Sequence, residues 1–162
     1  MKNGKIKVNK VYLIIFFLII TVLFFYSYNI KKKKILFQPL RVNLLANVHP
    51  NLSWSFKPLN PKLIIKPGEV ATVEYIVENL KNEQSTGIAT FQYYPKEFGA
   101  YISKINCFCY DAKTLKAEEK RKYSLIMLID PEVTKNSKTK NVKEITIQFT
   151  FFDYKEYKKK EN

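Results

Sequence analysis

Cysteine is almost missing from this chain: its 162 residues contain two, Cys107 and Cys109. That excludes the disulfide framework of small extracellular domains. Histidine occurs once, as His49. One chain therefore cannot close a four-ligand zinc site, and a cysteine nucleophile would lack a neighbouring base with an orienting partner. Glycine occurs only four times, and neither a Gly-rich phosphate loop, a His-Glu metal helix nor a Cys-x-x-Cys redox pair is found. An enzyme is not expected. Acidic side chains are scarce too, 14 against 28 Lys and Arg, a formal charge of +14. The excess does not indicate nucleic acid, because no zinc finger, base-reading basic helix or aromatic recognition strand accompanies it. The lysines instead flank an apolar run (Lys2, Lys5, Lys7, Lys10, then Lys31 to Lys34) and fill the tail (Lys155, Lys158, Lys159, Lys160), where anionic lipid head groups attract them.

What is present divides the chain clearly. Val11 to Ile30 carries no charged side chain, and about twenty such residues make a helix that crosses a bilayer. A cleaved leader has a shorter apolar region ending in small residues, whereas this run ends Tyr26-Ser27-Tyr28-Asn29-Ile30. An uncleaved anchor is expected, with Tyr26 and Tyr28 at the aromatic belt. The layout is thus 1–10 basic N-terminus, 11–30 transmembrane anchor, 31–40 basic linker, 41–154 β-domain and 155–162 basic tail. Lysines on both sides of the span leave the charge rule undecided. The short basic N-terminus looks like that of a signal anchor and a large C-terminal domain translocates largely regardless of charge, so N-in (cytoplasm or matrix), C-out is the expectation, with its main support in the resemblance given below.

From Leu40 onward the pattern has period two. Val73, Tyr75 and Val77 alternate with Thr72, Glu74, Ile76 and Glu78; Ala89, Phe91 and Tyr93 alternate with Thr90 and Gln92; Ile145, Ile147, Phe149 and Phe151 alternate with polar neighbours. Leu125 to Ile129 is an unbroken apolar run suited to an inner strand. Pro67-Gly68, Lys81-Asn82, Pro95 and Lys135 to Asn141 supply the turns. Seven or eight short strands predict an all-β, immunoglobulin-like β-sandwich without that class's Cys-Trp-Cys signature. Trp54 is expected in its core, and Asp130-Pro131-Glu132 is expected to end a strand.

Cys107-Phe108-Cys109 is the chemically distinctive stretch. In an extended strand its two cysteines share a face, with Cα atoms roughly 6.6 Å apart at about 3.3 Å per residue. That geometry disfavours a disulfide, which wants Cβ atoms about 3.5–4.5 Å apart. It suits two thiolates across a soft ion, and low-coordinate thiolate binding is what Cu(I) accepts. Two buried cysteines packing as small hydrophobes are the competing reading, and spacing alone leaves both open. Met127 is the domain's one thioether, in an apolar strand where packing explains it.

The surrounding residues carry a resemblance. Gly99-Ala100-Tyr101-Ile102-Ser103-Lys104-Ile105-Asn106-Cys107-Phe108-Cys109-Tyr110, with Leu115 and Leu128-Ile129-Asp130-Pro131-Glu132, resembles the CtaG-type copper chaperones of cytochrome c oxidase assembly. Ala46-Asn47-Val48, Leu52 to Pro58, Gly87 to Thr90 and Ile145 to Phe152 are similar to strands of that family. The resemblance implies an inner-membrane protein whose β-domain, on the periplasmic or intermembrane-space side, holds Cu(I) on Cys107 and Cys109. It implies delivery to the CuB site of oxidase subunit 1. Family members usually carry a third cysteine between span and first strand; here Lys31 to Leu40 contain none. Since two thiolates per chain leave Cu(I) short of the three or four sulfurs of its clusters, a copper-driven homodimer of a monomeric apo domain is expected.

Overall fold

In the computed structural model, which describes residues 10–31 and 38–161, the chain forms two units dividing near residue 36. The first is helix α1 (Lys10–Lys31), one residue longer at each end than the expected span. Its 22 residues measure about 33 Å at about 1.5 Å each, enough for a hydrocarbon core. The window Lys10–Ser27 is apolar enough to cross a membrane, and its large side chains from Val11 to Tyr26 all stand exposed. It is a candidate single-pass anchor. Lys2, Lys5 and Lys7, and Lys32 to Lys34 of the linker, lie outside the described residues.

The second unit is a β-sandwich. Its strands are β1 (Leu40–Val48), β2 (Trp54–Pro58), β3 (Lys62–Ile65), β4 (Val70–Asn79), β5 (Ser85–Tyr94), β6 (Ile102–Cys107), β7 (Lys113–Leu115), β8 (Lys120–Ile129) and β9 (Glu144–Asp153). One sheet has the order β3-β1-β9-β5-β7 and the other β2-β4-β8-β6. The alternating runs become these strands because each buries one face. Val73, Tyr75 and Val77 of β4 and Leu125, Met127 and Ile129 of β8 are buried, as are Ile145, Ile147, Phe149 and Phe151 of β9. The sheets meet through rings: Tyr75 lies 5.7 Å from Phe149, and Phe56 lies 4.9 Å from Phe151.

β9 is the middle strand of its sheet, antiparallel to β5 and parallel to β1 from Arg41↔Glu144 to Val48↔Phe151. Trp54 is buried as expected, and its indole N–H donates to Ser85 Oγ at 2.7 Å. Asp130 caps a short 3-10 turn, Pro131–Thr134, that stops β8. Most of the basic tail is helical: Tyr154–Glu161 forms helix α2. Asp153 Oδ1 accepts from Glu156 N at 3.1 Å, an N-cap that starts a run of good helix formers.

Two polar side chains in the interior contrast. Asn79 is buried yet fully engaged: its Nδ2 donates to Glu83 O (2.7 Å) and Lys116 O (2.8 Å), and its Oδ1 accepts from Lys81 N (3.1 Å). It ties the loop after β4 to the loop after β7. The Tyr75 hydroxyl is buried without a hydrogen-bond partner, and burial pushes its ionisation far above the ordinary phenol range.

Gly87 lets Trp54 lie flat on β5, since a Cβ there would sit 2.8 Å from Leu52 Cδ2 and 2.9 Å from Trp54 Cζ3. Gly87→Ala is expected to destabilise the domain by about 1–3 kcal/mol through overpacking. Tyr75→Phe should leave stability unchanged or raise it by up to about 1 kcal/mol, because it removes an unsatisfied group. Urea unfolding followed by the fluorescence of Trp54, the single tryptophan, checks both signs; a destabilised Tyr75→Phe would show that its hydroxyl has a partner.

Candidate metal centre

β6 is an edge strand and β7 belongs to the other sheet, so the chain must cross between sheets directly after Cys107. β6 reaches that point with a bulge: the register against β8 shifts between Lys104 and Asn106, leaving Ile105 turned out and 58% exposed. Cys107 pairs with Leu125 and ends the strand. Phe108–Tyr110 then makes a single 3-10 turn, with Cys107 Sγ accepting from Cys109 N at 3.2 Å. The Tyr110 hydroxyl donates to the carbonyl of Lys104, fastening the turn back onto β6.

This turn overturns the expectation of an extended Cys-x-Cys strand with both thiols on one face and no disulfide. Turning the backbone at Phe108 brings the cysteine Cα atoms to 5.1 Å, inside the range a disulfide spans. The sulfurs are bonded at 1.96 Å. Both cysteines are buried, Cys107 at 4% and Cys109 at 9% exposure.

Phe108 sets this geometry. Its ring enters the core 5.1 Å from Phe149, 5.2 Å from Tyr75, 5.7 Å from Phe56 and 5.8 Å from Phe151, nearly parallel to the last. Tyr123 of β8 lies 6.0 Å away. The cysteines on either side are thereby held at the sandwich's flank, between β6 and β5.

Other sequence candidates lie elsewhere. Met127 is fully buried on β8, a core residue. His49 follows β1, stacks 5.2 Å from Phe152 and accepts weakly from Asn51 N. Among the described residues no group of three or more His, Cys, Asp or Glu gathers, and Cys107 and Cys109 meet as a pair.

One neighbour was not anticipated. Lys104 points between the sheets, its ammonium 3.3 Å from the centre of the Phe91 ring and donating to Tyr93 OH at 3.0 Å. Burial lowers the Lys104 pKa. Burial and then the nearby Tyr110 push Tyr93 up to about 12. The signal in the sequence was a lysine at an inward position, two residues after buried Ile102.

Comparison with known proteins finds relatives of this chain. The family described as cytochrome c oxidase assembly protein CtaG/Cox11 matches residues 23–153. A cytochrome c oxidase assembly protein CtaG of Sinorhizobium fredii is 37% identical over 118 residues, 73% of this chain and 59% of that protein. The CtaG of Rhizobium etli is 38% identical over the same share of this chain and 58% of its own length. That of Ehrlichia ruminantium is 36% identical over 72% of this chain and 66% of its own. The chain thus spans about three fifths of the length of the two rhizobial relatives.

Removing the Phe108 ring should do more than loosen a loop. Phe108→Ala is expected to destabilise the domain by about 3–5 kcal/mol and Phe108→Leu by less than half of that. Urea unfolding of oxidised full-length protein measures it; an unchanged midpoint for Phe108→Ala would remove the ring from the core.

Proposed function

The chain belongs to the CtaG/Cox11 family of cytochrome c oxidase assembly proteins, and from that premise we propose that it is a membrane-anchored copper chaperone. In this reading Cys107 and Cys109 hold Cu(I) as cargo and release it to the CuB site of oxidase subunit 1. The single observation that carries it is the meeting of the chain's two cysteines in one turn, on a domain of this family. The disulfide is the resting, metal-free state. Thiol–disulfide exchange with a dithiol reductant supplies two electrons and two protons, and opens the pair to two thiols. Cu(I) then displaces both protons, and the 3-10 turn keeps the sulfurs close enough to share one ion.

Transfer follows from low coordination. A two-coordinate ion leaves positions at which an acceptor's ligands bind before the donor's thiolates depart, so free copper is not released. The helix α1 serves as the anchor in the inner membrane, with the N-terminus in the cytoplasm or matrix and the sandwich across the membrane. Two chains sharing copper through four sulfurs form the loaded species. The role is that of an assembly factor and not of an enzyme.

The burial of both cysteines favours a second reading, a membrane-tethered β-sandwich scaffold that assembles the oxidase without moving metal. Alkylation separates the two. After reduction, rapid native modification of Cys109 supports transfer, whereas reaction only on unfolding supports the scaffold.

Anaerobic Cu(I) titration of the reduced full chain in detergent, with a competing chelator, is expected to give about one copper per two cysteines. Oxidised protein and the Cys107→Ser, Cys109→Ser double variant should retain none, and light scattering should show a monomer becoming a dimer on loading. Stoichiometric copper in the double variant would end the chaperone reading; a loaded monomer would end the shared-copper dimer alone.

A further inference from the structure

β5 is a long strand with most of its outer edge unpaired. It bonds to β9 from Gly87 to Tyr94, but on its other side β7 covers only Ser85 to Gly87. Over Ile88–Tyr94 alternate residues therefore aim their N–H and C=O groups away from β9, and among the described residues no other backbone bond reaches them. The other edges are shorter or interrupted: β3 has four residues and β7 three, β2 ends in Pro58, the Ile105 bulge interrupts β6, and β1 is open only beyond Leu44.

Cationic and aromatic side chains lie beside this edge. Lys96 lines a shallow cleft of about 330 Å³ with Gln92, Tyr93 and Tyr94. Lys104 reaches the same flank through Phe91 and Tyr93. Neither lysine enters an ion pair among the described residues, whereas Asp111 nearby is matched by Lys113 at 3.9 Å. Phe91, Tyr94, Ile105 and Tyr110 add exposed apolar surface, from 38% to 58%. The turn Phe108–Tyr110 packs against β5, so an occupant of the edge lies beside the cysteines.

We propose that the open edge of β5, Ile88–Tyr94, accepts an extended acidic peptide segment of a partner protein by strand addition, with a carboxylate of that segment meeting Lys104. Backbone pairing supplies the affinity, and the lysine selects charge and register. A half-buried ammonium held by one phenol oxygen and one ring has donors left for an anion. The inference rests on the fold and not on copper. It names the kind of segment that would bring an acceptor to the sulfurs.

The test uses oxidised, copper-free full-length protein in detergent, so its failure leaves the copper reading untouched. The probe is a capped heptapeptide in which glutamate alternates with threonine and valine. Fluorescence polarisation gives its Kd, and amide hydrogen exchange shows where it binds. The expected result is slowed exchange at alternate amides of Ile88–Tyr94. A lysine-for-glutamate probe, or the Lys104→Gln variant with the original probe, should bind about tenfold more weakly, and Lys104→Arg should restore binding. A probe N-methylated at alternate amides should not bind. Absence of protection at Ile88–Tyr94, equal binding of the N-methylated probe, or an unchanged Kd for Lys104→Gln would each overturn the proposal.

Discussion

The ring of Phe108 lies among Phe56, Tyr75, Phe149 and Phe151, where it joins three strands from both sheets. Aromatic pairs at such separations add packing energy beyond the area they bury. Because that ring must point inward where the chain leaves one sheet for the other, β6 cannot continue as a strand past Cys107. The 3-10 turn is the way out, and it swings Cys109 back toward Cys107. The closeness of the sulfurs is thus a by-product of core packing. It needs no third side chain to hold the two sulfurs together.

Much of the sandwich could be read from residue alternation because each strand buries one face and wets the other. β4 and β9 follow their pattern residue by residue. The pattern on β5 fades at Phe91 and Tyr93, which point inward yet stay partly exposed, since no strand of the opposite sheet closes over that flank. The family was legible from the Cys-Phe-Cys run and its neighbours, and the comparisons agree. The state of the cysteines was not. A two-residue spacing gives a thiol separation only when the backbone is known, and whether residue 108 lies in a strand or a turn is decided by tertiary packing. Lys104 was missed for a related reason: a lysine in a strand reads as solvated until a ring on the facing sheet is seen to receive it.

The interior shows two ways of treating a polar group. Asn79 converts a buried amide into a fastener between loops, with donors and acceptor all used. Tyr75 contributes its ring to the cluster around Phe108 and leaves its hydroxyl idle. The first is a constraint on loop positions; the second is tolerated because the ring's packing outweighs one unsatisfied oxygen.

The parallel pairing of β1 with β9 has a consequence for how the domain is made. Arg41 meets Glu144 across 103 positions of sequence, and β9 lies between β1 and β5 in the sheet. A chain emerging from the ribosome N-terminus first holds β1 long before the strand that completes it exists. Until residues 144–153 arrive, β1–β3 and β5–β7 are separate ribbons, and Phe108 lacks both Phe149 and Phe151. Such long-range closure is slow. The cysteine turn therefore gains its rigid setting only at the end of synthesis, so a nascent or truncated chain has its sulfurs without the pocket that positions them.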